Sequence, residues 1–494
     1  MMGSGVGPAG QSADGAIAMR TFYVLLLLLL LGTFGFVLNR VRKAFNVLTP
    51  ILGWMVGLAY FFLAPLTVLT LNGGFKFSAV YQMNGSWGEV DLAKLKFLGP
   101  YLVIWLSLML TCAVAYFFVP ATTDQRKAEK HLISLHQLQR VILITMALSM
   151  LDWIAAIWLN GGVAEFLVSH WYLRQEDMAA RFGSIFVLYT RSSLVNQILF
   201  TSAAVLYTSQ GLKQRKSRWP FTSLISLFLV LGMVMSGNRI FIATYLLGFL
   251  ASCWMYGRKK IVAVLLAASP LIVLVFSAWG WVRQDVSKIP DSVDTYVINA
   301  DVESPAVSKL MEVTEGSAIT LLMHMINDFG DKYDYLYGST YSRLFTFFQP
   351  RSLHPKRTPD FGTLAAMLYE PGETTSFGAT PLGEAYANFG FFGIFVPPLF
   401  TWFALSYSRR LALAGEKHTL LTAVSFVVFI WFARSSFAEN GMTLIGAALL
   451  IWILKIEKGL CILANDPPDS LISSNKARQT TTPELARIPR WESQ

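Results

Sequence analysis

Charge is scarce in this chain of 494 residues: only 14% are Asp, Glu, Lys or Arg, whereas 54% are hydrophobic. A soluble protein usually has about 25% charged residues. Because so many apolar side chains cannot all be hidden in one soluble core, the composition excludes a cytosolic enzyme, a disordered chain and a nucleic-acid-binding module. It indicates a protein that uses lipid as its solvent.

The sequence also lacks the motifs of several chemistries. It contains no P-loop, no His-Glu-x-x-His metal motif and no Asp-x-Asp element of a nucleotide-sugar site. The three cysteines, Cys112, Cys253 and Cys461, lie in or beside apolar runs and predict no disulfide framework. We therefore expect neither a metal nor a cofactor.

Long apolar runs are what the chain has in abundance. A membrane-spanning helix needs about 20 mostly apolar residues, and the runs predict an all-α polytopic membrane protein with about eleven transmembrane helices. The predicted spans are 21–39, 44–71, 98–119, 141–159, 185–207, 221–236, 240–256, 261–281, 391–407, 419–433 and 442–455.

Basic residues concentrate in alternate connections between these spans. They fall at 40–43, 126–140, 213–218, 258–260, 409–417 and in the tail after 455, whereas the other short connections are poor in Lys and Arg. The positive-inside rule assigns the basic set to the cytoplasm, with the N-terminus outside and the C-terminus inside. The net charge of +10 is therefore a signal of topology, not of nucleic-acid binding.

One connection is far longer than the others. It divides the chain into a flexible external tail (1–18), a bundle of about eight helices (19–281), a large external loop (282–390), about three further helices (391–456) and a flexible cytoplasmic tail (457–494). The loop keeps Leu, Met, Phe and Tyr throughout, so we expect it to be folded. Ser304-Pro305 predicts the start of a helix that runs to about Asp328 and is weakened at Gly316.

Two arginines stand at the outer ends of predicted spans. Arg239 lies in a tight turn between two short spans, and Arg434 precedes a short turn that contains Glu439. An arginine at this depth costs free energy unless it is paired or snorkels to the interface. Its planar fork suits a diphosphate. The alternatives are a snorkelling role for Arg239 and an ion pair with Glu439 for Arg434.

The region from Tyr335 to Gly393 contains the most specific pattern. Its elements are Tyr337-Gly338-Ser339-Thr340-Tyr341, then Pro350-Arg351 with His354-Pro355-Lys356, then Gly383-Glu384-Ala385-Tyr386-Ala387-Asn388-Phe389-Gly390 entering a span. This order resembles the polytopic polymerases of O-antigen and related oligosaccharide repeat units, the Wzy family. The wider plan of about eleven spans with a large late external loop is similar to that family over most of the chain.

The resemblance implies a metal-independent glycosyltransferase of the bacterial inner membrane. Such an enzyme moves a glycan chain from undecaprenyl diphosphate to a sugar hydroxyl of the next lipid-linked repeat unit. Its partners would be the undecaprenyl-diphosphate-linked oligosaccharide and the lipid bilayer, with a chain-length regulator and a flippase as further candidates and no nucleic acid. An O-antigen ligase and a lipid-linked oligosaccharide transporter are the alternatives.

This chemistry needs cations for the diphosphate, a base for the acceptor hydroxyl and polar or aromatic groups for sugars. The candidate diphosphate-binding residues are Arg239, Arg351 and Arg434. The candidate bases are Glu384 and His354, with His324 as a weaker option. The candidate residues lining the sugar path are Tyr337, Tyr341, Tyr386 and Asn388. Glu384 has two structural alternatives, a carboxylate that stabilises a helix start and the partner of an arginine.

Overall fold

The computed structural model describes most of the helical part of the chain. The described residues are 13–45, 48–76, 89–120, 134–159, 161–162, 175–214, 219–236, 240–265, 267, 317–346, 358–369, 378, 380–414, 419–434 and 436–453. Nearly all of them are helical, in agreement with the predicted all-α class. The predicted eighth span and the predicted helix start at 304–305 lie largely outside these residues.

The elements follow one another along the chain with one short β-hairpin among the helices. The first helices are α1 (Ala13–Ala44), α2 (Pro50–Leu58) and α3 (Ala64–Asn72), followed by the antiparallel strands β1 (Gly74–Lys76) and β2 (Glu89–Asp91). Then come α4 (Leu98–Phe118), α5 (Leu135–Leu159), α6 (Gln175–Lys213), α7 (Trp219–Ser236) and α8 (Ile240–Met255). The last are α9 (Ser317–Asp328), α10 (Ser339–Thr346), α11 (Phe361–Tyr369), α12 (Pro381–Phe389), α13 (Val396–Ala414), α14 (Thr419–Phe432) and α15 (Phe437–Ile453).

Five helical segments of the described chain are long and apolar enough to cross a membrane, so the protein is a membrane protein. They are Ile17–Ala44, Pro50–Asn72, Leu95–Phe118, Leu135–Trp158 and Pro381–Leu413. Three shorter apolar helices accompany them, at Pro220–Met233, Ile240–Met255 and Thr419–Phe432. The full count of eleven spans stays a prediction.

Several helices differ in extent from the predicted spans; α6, for example, begins at Gln175 instead of 185. Helix α1 begins at Ala13 instead of 21, because the preceding residues include several alanines and a methionine, which favour a helix. The last long segment begins at Pro381 instead of 391, since α12 and a 3-10 turn at Gly390–Phe395 lead directly into α13. Helices α2 and α3 join through a π-helical turn at Ala59–Leu63, which precedes a proline without an amide hydrogen.

Helix α14 is the centre of the bundle, and its backbone touches that of α2. A Cβ atom added at Gly53 would stand 2.2 Å from the carbonyl oxygen of Phe426, and one added at Gly57 would stand 2.7 Å from that of Ile430. Small residues permit such close approach in lipid, where packing replaces the hydrophobic effect between helices. One pair of buried polar side chains nearby is matched: Trp54 Nε1 donates to Thr401 Oγ1 at 2.8 Å.

Two arginines close the carboxyl end of α4. Arg40 Nη2 donates to the carbonyl oxygen of Val119 at 3.5 Å, and Arg409 donates to that of Phe118. The last carbonyls of a helix have no partner within it and carry partial negative charge. The two guanidinium groups therefore stabilise a helix end that lipid cannot solvate.

Two more arginines do the same for neighbouring helices. Arg42 Nη1 donates to the carbonyl oxygen of Trp254 near the end of α8, at 3.2 Å. Arg258 Nη2 donates to that of Leu212 near the end of α6, at 2.8 Å. We call this side of the bundle, defined by Arg40, Arg42, Arg258 and Arg409, the arginine end. Its residues come from three of the basic connections.

The opposite side of the bundle, which we call the loop end, gathers the start of α1, the end of α3, the hairpin and α9. Arg20 donates to the carbonyl oxygen of Leu71, and the ring of His324 lies edge-on to Phe97, just before α4. Helix α4 has 21 residues, so at 1.5 Å per residue it separates the two ends by about 30 Å. Helix α12 packs on α9 and thus belongs to the loop end.

The contact between α2 and α14 predicts the effect of one added methyl group. Gly53→Ala should lower the free energy of unfolding by roughly 1–3 kcal/mol, because neither backbone can move aside without repacking. Gly35→Ala on α1 is the matched control, since its Cβ would meet nothing within 4 Å. Thermal unfolding of the purified proteins in detergent measures both, and equal midpoints for the two variants would contradict the packing described.

Candidate functional site

A strained turn displays the Tyr337 side chain at the loop end. Tyr337 has φ of 46° and the next residue, Gly338, has φ of 81°. A non-glycine residue in this region costs about 1–3 kcal/mol and persists only when its surroundings hold it. Here the amide of Leu336 donates to the carbonyl oxygen of Ala387 at 2.9 Å, and that of Gly338 donates to Asn388 Oδ1 at 2.8 Å. The tyrosine itself is 82% exposed.

Asn388 joins the turn to α10 and α12. Its side chain is buried, and its Nδ2 donates to Thr340 Oγ1 at 2.8 Å and to the carbonyl oxygen of Glu384 at 2.7 Å. Together with the bond from Gly338, these contacts use both donors and one acceptor site of the amide. We call this set of bonds between Leu336–Thr340 and Glu384–Asn388 the clamp.

The Glu384 carboxylate lies beneath the clamp and is fully buried. Helix α12 places it there because Thr380 caps the helix, accepting from the Gly383 amide at 3.1 Å, and Pro381 follows as the first helical residue. Glu384 Oε2 accepts from the amide of Phe437 at 2.7 Å, at the start of α15. A negative charge is favourable at a helix amino end. The helix-start role that the sequence left open is therefore present.

Three buried polar atoms around this carboxylate lack well-directed hydrogen bonds within the described part of the chain. They are Glu384 Oε1, which lies near the Thr340 hydroxyl, the Tyr341 hydroxyl and Ser436 Oγ. Most buried polar atoms in proteins have partners, so such a group calls for a bound water, a ligand or a catalytic role. Burial, and next the charge of Glu384, raise the pKa of Tyr341, which keeps its phenol protonated as a donor.

Aromatic packing fixes the Tyr341 ring between two helices. It stacks on Phe389 with ring centroids 5.6 Å apart and lies against Phe437 at 5.7 Å. The same Phe437 supplies the amide that Glu384 accepts. Tyr341, Glu384 and Asn388, three of the predicted site residues, are thus brought together.

An ion pair that the sequence analysis missed borders this cluster. Arg343 Nη1 lies 3.4 Å from Asp360 Oδ2, and both charges are close enough to act on Glu384. Asp360 also caps α11, since its carboxylate accepts from the amide and the hydroxyl of Thr363. Arg343 follows Thr340 by three residues, which puts both on one face of α10. The three-residue spacing from Thr340 was the sequence signal that could have placed Arg343 beside the site.

His324 lies on α9, away from the clamp. Its Nε2 contacts the carbonyl oxygen of Glu89 at 3.0 Å, and since a carbonyl only accepts, this nitrogen carries the proton. Burial is the main cause that lowers the pKa of His324, so the ring is neutral at pH 7. Tyr386 is half-buried beside Tyr335, on α12 with Glu384 and Asn388.

Of the three arginines predicted to bind the diphosphate, Arg434 alone lies among the described residues. Arg434 is half-buried in the turn between α14 and α15, two residues before the unpartnered Ser436, and its amide donates to the carbonyl oxygen of Trp431 at 2.9 Å. Arg239, Arg351 and His354 lie outside the described residues, so the convergence of three guanidinium groups stays a prediction. Within the described chain, no group of three or more His, Cys, Asp or Glu residues is arranged to hold a metal ion.

Comparison of the chain with protein-family models, with curated proteins and with solved structures found no match. The function is therefore inferred from the residues of this chain themselves. Two motifs whose bonded residues are about 50 positions apart in the sequence form one hydrogen-bonded unit. That unit surrounds a buried carboxylate, and the Tyr341 hydroxyl and Ser436 Oγ beside it have no hydrogen-bond partner among the described residues.

The clamp predicts a local effect of Asn388→Leu. The variant keeps the side-chain size but removes the bonds to Gly338 and Thr340, which should cost about 1–3 kcal/mol. Amide hydrogen exchange should rise in the peptide that contains 336–341 before it rises elsewhere. Asn327→Leu is the matched control, because Asn327 is half-buried and makes no side-chain hydrogen bond to a described residue. Unchanged exchange at 336–341 in the Asn388 variant would show that the clamp does not hold the turn.

Proposed function

We propose that the protein is a repeat-unit polymerase of surface polysaccharide. It transfers a glycan chain from undecaprenyl diphosphate to a sugar hydroxyl of the next lipid-linked repeat unit. The observation that carries this proposal is the clamp: the Tyr337–Tyr341 and Glu384–Asn388 elements, whose order in the sequence resembles that of such polymerases, bond directly to each other.

The proposal places the loop end outside the cytoplasm and the arginine end inside. In this orientation the multi-pass bundle sits in the bacterial inner membrane with its N-terminus outside and its C-terminus in the cytoplasm. The excess of Lys and Arg in alternate connections supports this orientation. Lipid-linked repeat units would then meet the site on the non-cytoplasmic face.

In the proposed reaction, an acceptor hydroxyl oxygen attacks the anomeric carbon of the donor glycan. The bond from that carbon to the diphosphate oxygen breaks, and undecaprenyl diphosphate leaves with the electron pair. A base takes the hydroxyl proton, and cations stabilise the charge that develops on the leaving group. No metal ion or cofactor is needed for this balance of atoms and charge.

Glu384 is the base that the geometry favours among the candidates. Its Oε1 has a free acceptor position, whereas His324 is packed against Phe97 and uses its Nε2 on a backbone carbonyl. Because Glu384 is fully buried, the sugar hydroxyl reaches it only if the start of α15 or the Tyr337 turn moves. His354 stays an alternative base.

Arg434 and Arg343 supply positive charge beside the cluster. Arg434 precedes the helix start that Glu384 stabilises, and Arg343 lies within electrostatic range of the carboxylate. We propose that Arg239 and Arg351 complete the diphosphate site, and that the exposed ring of Tyr337 contacts a sugar of the acceptor. Tyr341, Tyr386 and Asn388 would shape the path behind it.

Deletion of the gene from its host, followed by complementation, tests the proposal. A polymerase deletion should leave surface glycan one repeat unit long, as seen on a gel of the glycan. A ligase deletion should leave no glycan attached, and loss of an unrelated transporter should leave chain length unchanged. Either of these two results would refute the proposal.

Substitutions of two site residues test their roles in the proposed reaction. Tyr337→Ala should reduce chain extension about tenfold, equivalent to about 1.4 kcal/mol, without loss of protein. Glu384→Gln keeps an acceptor for the Phe437 amide but removes the base, so long chains should not return. Phe345→Ala is the matched control, a 79% exposed aromatic on α10.

A further inference from the structure

A cavity of about 290 Å³ opens at the loop end, away from the clamp. It lies between the first turns of α1, the end of α3 and the turn after β2. The residues that matter in its lining are Ile17, Arg20, Tyr23, Asn72, Gly73 and Leu92. None of them is used in the proposed polymerase site.

Among the described residues of this lining, Arg20 alone carries a positive charge. The residue is exposed, and its Nη2 donates to the carbonyl oxygen of Leu71. It forms no ion pair with any acidic residue of the described chain. An arginine near a helix end extends its charged group to the membrane interface, where a lipid phosphate would complete its interactions.

The end of α3 leaves room beside this guanidinium. Gly73 closes the helix in the left-handed region, with φ of 78°, where a side chain is disfavoured. A Cβ atom there would approach Arg20 Nε to 3.9 Å. The glycine adds no side chain beside the guanidinium, whose planar fork binds phosphate through two parallel hydrogen bonds.

The lining also contains a polar atom without a partner. Tyr23 is 0% exposed, and its hydroxyl makes no hydrogen bond to a described residue. Its neighbour Tyr101, whose ring centroid is 4.6 Å away, bonds instead to Thr70 Oγ1 and to the backbone of Tyr23. Tyr23, one of the lining residues, therefore carries a hydroxyl that nothing in the described chain satisfies.

The surroundings of the cavity are apolar and continuous with the exposed stripe of α1. Ile17 at its rim is 64% exposed, and Leu25 and Leu28 continue along α1 within about two turns of Arg20. Leu71 is exposed beside the carbonyl that Arg20 contacts. A free phosphate ion would gain nothing from these side chains, whereas acyl chains would cover them.

We propose that this cavity binds the phosphate headgroup of a membrane phospholipid, whose acyl chains lie along the exposed leucines of α1. Arg20 binds the phosphate with its guanidinium, and Tyr23 contributes its hydroxyl. The proposal requires only that the bundle sits in a bilayer, and it stands or falls independently of the polymerase activity.

Native mass spectrometry of the full chain in detergent, titrated with phosphatidylglycerol, tests the site. Arg20→Gln should weaken binding of this lipid about tenfold, while Arg410→Gln, an exposed arginine at the arginine end, should not. Diacylglycerol with the same acyl chains should bind weakly and equally to all proteins, because it lacks the phosphate. Equal loss, or no loss, in both arginine variants would overturn the proposal.

Two further measurements keep the test decisive. If Arg20→Gln lowers the lipid-free melting temperature, Arg20→Lys and Tyr23→Phe replace it, and each should weaken phosphatidylglycerol binding by a smaller factor of about three. Inorganic phosphate alone should neither bind measurably nor displace the lipid. Tight binding of inorganic phosphate, or unchanged lipid affinity in both replacement variants, would contradict a phospholipid site.

Discussion

The fold depends on one constraint: lipid offers no hydrogen bonds, so polar groups of the apolar helices must be satisfied by the protein or lie at the ends of the bundle. The chain obeys it differently at its two ends. At the arginine end, guanidinium groups from one helix close the carbonyls of another, as Arg40 and Arg409 do for α4. At the loop end, backbone and amide groups form the clamp, and a buried carboxylate stabilises the start of α15.

Because the two ends are stabilised differently, the candidate site at the loop end is built from backbone, amide and carboxylate groups. The clamp holds a strained tyrosine in place with two bonds from α12, so its exposed ring is presented on a rigid support. Beneath it, the two oxygens of Glu384 differ. One accepts a hydrogen bond from the Phe437 amide, while the other has a free acceptor position. A carboxylate so arranged can take a proton without losing its place in the fold. The same end of the bundle also carries Arg20, which forms no ion pair with a described acidic residue and which we propose binds an anionic headgroup.

The sequence predicted the helical class well, because about 20 apolar residues in a row have few other uses. It also singled out Tyr341, Glu384 and Asn388, because the order of their motifs resembles that of repeat-unit polymerases, and the structure brings them together. It did not reveal the pair of Arg343 with Asp360, which depends on how α10 and α11 pack. Nor did it reveal that His324 meets the backbone of Glu89, because that contact joins residues 235 positions apart. Apolar periodicity predicts which face of a helix is buried, but it does not predict which element packs against that face.

The orientation of the two ends is the central claim, and cysteine accessibility measures it most directly. Tyr337 and Leu413 are 82% and 88% exposed, and they mark the loop end and the arginine end respectively. Cys112 and Cys253 are buried, so single cysteines introduced at 337 or 413, with Cys461 replaced by serine, report on their own sites. In spheroplasts, a membrane-impermeant maleimide should label position 337 at once and position 413 only after lysis. Labelling in the reverse order, or of both positions alike before lysis, would contradict the account.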